Sequence, residues 1–396
     1  MRTLADAEAA LHRARAAAPD PADPARLPAA LIDFAEAAPL FRYRAAPVTA
    51  ALLEAVALLP PLRQPALEIR CLVRLSEARM QEGDGAQALK LAEQAVSRAL
   101  AAADEEGGAE RVLRAQCQRA RALRRLGEGR AEEADQVLLA AAAELPRLRR
   151  AGGQSFIAVS LAIAEGQLER GDADAAETLR ALLRGLDQDG LEAPDARFAA
   201  HQGIALCAEL SGQRDRATAH LRDVVSLVKR HDAPLDLLEA RLALGAALSA
   251  ARKSVEARRV LQVVVDEARD LSAEHHRLLG LTALSTVLSQ QGAVRGAVDL
   301  AIESASGYAR LGSLLGYVRG VALAAHALLG HNRTAAAIEI MLYGVSALRH
   351  TMGEQAASLL QAQLDALRAE LGEDRYEEAC RELLALRAAR QRVSES

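Results

Sequence analysis

A chain that repeats one helical hairpin every forty residues or so must stack those hairpins side by side, because a single hairpin cannot bury its own apolar face. The clearest copy in this sequence runs from Leu75 to Val96, LSEARMQEGDGAQALKLAEQAV. A helical run with small residues at Ser76 and Ala78 breaks at Gly83-Asp84-Gly85, and a second run follows with Ala88, Ala92 and Ala95. Spacings of four and three put those alanines on one helix face, where only a small side chain lets the first helix come close. The same device, a turn followed five residues later by an alanine, recurs along the chain. The expected turns are Gly83, Gly129, Gly171, Gly212, Arg252 and Gly292, and the packing alanines are Ala88, Ala134, Ala176, Ala217, Ala257 and Ala297. Intervals between these alanines are 46, 42, 41, 40 and 40 residues. Glycine suits a helix end that needs positive φ, a freedom Arg252 lacks.

Beyond Ser304 the pattern predicts a seventh pair, Leu314–Leu329 and Arg333–Arg349, with Gly330 or His331 at the turn and Ala335 or Ala336 as packing alanine. An eighth pair would span Glu354–Leu371 and Asp374–Ala389. The excess of the first interval falls in Asp104-Glu105-Glu106-Gly107-Gly108, and Pro146, Pro194 and Pro234 mark places where second helices stop. Residues 1–65 differ, holding nine of the twelve prolines. They read as three short helices near 3–17, 28–38 and 47–59, with PDPADPARLP as a linker, capping the first repeat. The expected division is therefore a cap at 1–65, an array at 66–391 and a disordered tail at 392–396.

Composition agrees with helix stacked on helix, since 51% of the 396 residues are apolar but only 2% aromatic. A net charge of −4 gives no electrostatic reason to bind nucleic acid or an anionic membrane. Cys71, Cys117, Cys207 and Cys380 are scattered without a CxxC pair, as expected of a reducing compartment. The start, MRTLADAEAALHRARA, has no signal-peptide core, and the uncharged stretches Ala151–Ala164 and Gly320–Asn332 are shorter than the roughly 18–20 residues that span a bilayer. A cytoplasmic location is expected. No phosphate loop, GxGxxG, GxSxG or HExxH occurs. His275-His276 beside Glu274 is the densest histidine cluster, but neighbours on a helix point about 100° apart and do not share one metal easily. Neither a catalytic residue nor a cofactor nor a metal is expected.

These hairpins resemble the tetratricopeptide repeat. The five-residue offset from turn to alanine carries the likeness, with Leu244-Gly245 and Leu248 echoing the family's first helix. The period also overlaps the two-helix HEAT class, which does not require that offset. Against a standard repeat of 34 residues each helix should be about one turn longer. The resemblance implies an all-α fold, an α-solenoid of about eight antiparallel helix pairs in a right-handed superhelix. It also implies a groove lined by the first helices at Val73, Glu77 and Met80, at Leu161, Glu165 and Leu168, at Gln202, Leu206 and Glu209, and at Thr282, Thr286 and Ser289. With Asn332 the one asparagine and only three lysines, the groove lacks the asparagine and lysine clamp known in the family. The last hairpin, LRAELGEDRYEEACREL, resembles the sensor regions of large bacterial transcription activators. RQRVSES follows it where those carry a DNA-binding domain, so no DNA-binding activity is expected.

The implied function is a non-enzymatic scaffold that binds a protein or peptide partner, or its own copies. The alternative is a stand-alone module that senses a ligand or peptide. The window from Ser304 to Gly353 holds one acid, Glu339, against four arginines, together with three of the five tyrosines. Its Tyr308, Tyr317, Arg319, Met341, Tyr343 and Arg349 are the candidate contact residues, because these residue types combine large area with adaptable or bidentate polar ends. The competing reading places the tyrosines in the core.

Overall fold

Helix after helix in this protein ends the same way. In the computed structural model, which describes residues 4–17, 22–38, 45–151, 153–191 and 193–394, the residue past the helix end turns left-handed and two reverse hydrogen bonds close the turn. At Arg252 (φ 58°), its own N–H donates to Ser249 O at 3.0 Å and that of Lys253 to Leu248 O at 2.9 Å. The pair of bonds is the Schellman cap, which satisfies carbonyls that a helix end leaves orphaned. Gly83, Gly171, Gly212, Ser272, Gly292, Gly312 and Asn332 repeat it. From Gly212 to Asn332 the left-handed residues fall twenty apart, at 212, 232, 252, 272, 292, 312 and 332. The underlying period is thus one 17-residue helix plus a three-residue turn, and the forty-residue repeat is two such steps.

Among the described residues there are nineteen α-helices and no strands. In chain order they are α1 (Leu4–Ala16), α2 (Arg26–Ala37), α3 (Ala45–Leu58), α4 (Pro65–Gln81), α5 (Gly85–Ala101), α6 (Gly108–Arg125), α7 (Ala131–Ala151), α8 (Gly153–Glu169), α9 (Ala175–Gln188) and α10 (Pro194–Leu210). There follow α11 (Arg214–Arg230), α12 (Pro234–Ala250), α13 (Ser254–Asp270), α14 (Glu274–Gln290), α15 (Val294–Arg310), α16 (Leu314–Leu329), α17 (Thr334–Met352), α18 (Glu354–Leu371) and α19 (Glu373–Ser394). The chain forms two compact units, residues 1–237 and 238–396. In the first, sequential helices pack and the first helices of successive pairs stack on one another, α4 on α6, α6 on α8 and α8 on α10. In the second, α14 stacks on α16 and α16 on α18. That arrangement is an α-solenoid.

The six expected packing alanines are all buried. Glycine does the same work where α15 and α16 cross: a Cβ on Gly320 of α16 would sit 2.9 Å from the Ala305 backbone of α15. The N-terminal helices join the first repeat's core, where Leu31, Ile32, Leu52 and Ala55 cluster with Ile69, Cys71, Leu72 and Leu75.

Several boundaries differ from expectation. The left-handed residue of the second turn is Gly127 (φ 115°), with Gly129 inside a short 3-10 helix, Glu128–Arg130. Gly127 and Ala134 are therefore seven apart, and this turn shares the excess of the first interval with the 102–107 loop. In the seventh pair Gly330 stays helical (φ −59°) and Asn332 takes the left-handed position (φ 57°). Five residues on is Ala337, fully buried, and the expected Ala335 is buried in the same core, with Ala336 packed against it. Pro146 lies inside α7 and does not end it, whereas Pro194 and Pro234 open α10 and α12. The expected disordered tail is corrected in part, since α19 continues through Ser394 with neither glycine nor proline after Gly372 to stop it. Pro19, Pro21, Pro39, Gly152 and residues 395–396 lie outside the described residues.

Candidate interaction surface

On the first helices of the first unit, the positions expected to face a groove are joined by arginines. Arg74 on α4 bonds Glu77 at 2.8 Å, Asp195 at the start of α10 at 2.8 Å, and the carbonyls of Ala35 (2.9 Å) and Ala38 (2.8 Å). Arg121 on α6 grips Glu165 of α8 through Nε at 2.7 Å and through a second nitrogen at 2.8 Å, and stands 3.8 Å from Glu77. Gln118 accepts from Arg121 at 3.2 Å and donates to the buried Ser76 at 2.9 Å. Arg70 spans Glu36 at 2.6 Å and Asp33 at 2.9 Å. A guanidinium's planar fork suits such bidentate contacts. Burial works against ionisation of Glu36, but its hydrogen bond and charge pairing with Arg70, aided by Arg114 and Arg74, hold its carboxyl below the usual range. The groove acids Glu77 and Glu165 thus belong to the scaffold's own ion network. Val73 and Leu161 are buried apolar positions, and Thr282 is buried in the second unit, bonded to Leu278 O and the Ser304 hydroxyl at 2.8 Å each. On α10, by contrast, Gln202, Leu206 and Glu209 are exposed, with Leu210 alongside.

The second unit sorts the six candidate contact residues. Tyr308 is 6% exposed and packs with Val265, Leu278 and Leu281, so it belongs to the core. Met341, 4% exposed, is core as well, among Ile338, Val345 and Leu360. Both fall on the inward stripe of their helices, and burial removes them from the candidate surface. Tyr317 is half-buried; burial, and then the neighbouring Tyr343, push its hydroxyl pKa up. Arg319 is exposed, Tyr343 is 75% exposed, and Arg349 is exposed and paired with Glu354 at 2.7 Å. Beside them Leu315, one turn before Arg319 on α16, is 76% exposed. Tyr317, Arg319 and Leu315 on α16 and Tyr343 on α17 are what the structure leaves for contact. The sequence pattern did not single out Leu315, although a leucine at the second position of a helix, ahead of the buried stripe, is a readable signal.

Three further residues come together away from these faces. His201 of α10 and His220 of α11 approach with Nδ1 atoms 3.0 Å apart, and Asp223 Oδ2 stands 3.3 Å from His201 Nδ1. Burial holds both imidazoles below their ordinary pKa, against the pull of Asp223. Sequence spacing hides the group: the histidines are 19 positions apart and meet because each sits near the middle of one of two antiparallel neighbouring helices. Cys71 and Cys117 are buried thiols pushed up to about 12 by their burial. Among the described residues all four cysteines are free, and no helix is long and apolar enough to cross a membrane.

The arrangement is that of a tetratricopeptide-type helical-repeat protein, and known structures agree on the fold. The chain is similar to a signal transduction ATPase with numerous domains that carries a tetratricopeptide repeat sensor, from Pyrococcus horikoshii. The match has TM-score 0.51 and 12% identity, over 87% of this chain and 54% of that one. This chain thus spans about half the length of that protein. Weaker likenesses, which add nothing to the fold argument, are to a Rap protein complexed with competence and sporulation factor and to aspartyl phosphate phosphatase F from Bacillus subtilis. The first has TM-score 0.44 and 10% identity over 93% of this chain and 99% of that one. The second has TM-score 0.42 and 10% identity, covering 88% and 84%. Neither a family model nor a curated protein sequence matches the chain.

Proposed function

We propose that the protein is a non-enzymatic interaction module that docks a protein or peptide partner on the α16–α17 face of its second unit. The observation that carries this reading is that two large side chains on neighbouring helices, Leu315 of α16 and Tyr343 of α17, are each about three-quarters exposed, with Arg319 exposed one turn after Leu315. A folded chain gains by burying such groups, and tyrosine and arginine are among the residues on which interface energy concentrates. The signal transduction ATPase to which the chain is similar carries a tetratricopeptide repeat sensor, which suits an interaction role. The ion-paired face of the first unit supports the choice of site, because its acids are already committed to arginines.

The test is affinity capture from the source organism with the wild-type chain and with Arg319→Ala/Tyr343→Ala. The reading expects specific partners to be lost, by at least about tenfold for an anchor pair worth roughly 2 kcal/mol, with the melting temperature near wild type. Retention of the same partners would reject the face. Stabilisation of the chain by a small-molecule fraction, unaffected by these substitutions, would shift the reading to a stand-alone sensor.

A further inference from the structure

We propose that His201, His220 and Asp223 form a binding site for a divalent transition-metal ion of the zinc type, on the α10–α11 hairpin. Ligand atoms of all three residues lie within 4.8 Å of one another. More telling are the edges: 3.0 Å between the two Nδ1 atoms and 3.3 Å from His201 Nδ1 to Asp223 Oδ2. Bonds of about 2.0–2.1 Å in tetrahedral directions place neighbouring ligand atoms about 3.3 Å apart. Those two edges are close to the ligand spacing of such a shell, and rotation of the paired imidazoles would turn the three donors onto one ion.

The hairpin produces this geometry. His220 and Asp223 are three apart on α11 and share one face, while His201 meets them from α10, whose pairing with α11 is among the most extensive in the first unit. The donor set also selects the metal: imidazole with one carboxylate suits zinc and its neighbours, whereas magnesium and calcium prefer oxygen alone. Charge does not oppose occupancy. Asp223 brings one negative charge, and the nearest cation on α10, Arg197, is engaged by Asp187 at 2.7 Å and by Leu191 O at 3.0 Å. Arg180 of α9 is the other cation acting on His220, and it pairs with Glu177 at 3.4 Å. Three protein ligands leave a fourth position open, and the exposure of Asp223 puts the site's edge in solvent. Without an ion, the Nδ1–H of one imidazole donates a hydrogen bond to the bare Nδ1 of the other, so the cluster also has a satisfied apo form.

The full-length chain, purified without a histidine tag and stripped with chelator, would be titrated with Zn2+ by calorimetry at neutral pH, and with Mg2+ as a control. The expected result is one equivalent of Zn2+ and no Mg2+, with affinity weakened about tenfold or more in His201→Ala and His220→Ala. Asp223→Asn should weaken it as well, leaving the circular dichroism unchanged. Should either histidine variant fail to fold, Co2+ added to the wild-type chain must perturb the NMR signals of two histidines among the nine. No binding, affinity unchanged in all three variants, or perturbation of histidines other than these two would overturn the site.

Discussion

Arg74 and Arg121 show what a single residue does here that pattern alone does not reveal. Each is nearly buried and each spends its charge on carboxylates from neighbouring helices, Glu77 and Asp195 in one case and Glu165 in the other. Arginine in a sequence reads as a solvated face; only the fold shows that these side chains lie across stacked first helices. Glu36 provides the pH signature of this network. Its carboxyl is held below the range it would have in the unfolded chain, so the folded state binds fewer protons there. The stabilisation it supplies is complete above the unfolded carboxylate range, near pH 4.3, and is lost as pH falls through its lowered native value. Glu36→Gln should therefore be less stable than wild type at neutral pH, with the difference shrinking steadily below pH 4. Urea melts followed by helical circular dichroism across that range would show it. A gap independent of pH would mean that the substitution acts through packing rather than charge.

At the scale of the helix and its turn, the repeat was legible where glycine marks it and obscure elsewhere. The offset from Gly83 to Ala88 and from Gly292 to Ala297 found true hairpins, and the expected first helices Leu314–Leu329 and Glu354–Leu371 match α16 and α18 end for end. The turns at the ends of α11 and α13 escaped notice because Asp232 and Ser272 take the left-handed conformation there without being glycine (φ 48° and 53°). Asn332 misled for the same reason. Tertiary packing on both sides imposes the cap, and the local residue accepts the strain. Arg252 is the sharpest case: a side chain in that region costs about 1–2 kcal/mol, and glycine would return about 0.5–1 kcal/mol of that as chain entropy. Arg252→Gly should accordingly raise the chain's stability by about 0.5–1 kcal/mol, read as a higher denaturant midpoint with unchanged slope. A lower midpoint would show that the arginine side chain makes a compensating contact. Pro146 illustrates the opposite limit, a residue that breaks helices in isolation yet sits within α7.

For the molecule as a whole, the helical-repeat class was legible in the sequence because small residues at fixed offsets can satisfy few other folds. The contact surface was legible only in part. Choosing Tyr308, Tyr317, Arg319, Met341, Tyr343 and Arg349 by residue type could not tell the inward stripe from the outward one, and the structure buries Tyr308 and Met341. The histidine and aspartate group was invisible to a search for compact motifs, because its members meet across the middles of two antiparallel helices and not by closeness in sequence. Docking of a partner on α16–α17 is the central proposal. Hydrogen exchange of the chain, alone and with its captured partner, tests that claim most directly. The account predicts new protection concentrated in residues 314–352, with the α4 and α6 amides unchanged. Protection centred on α4 to α10 and none in 314–352 would contradict it.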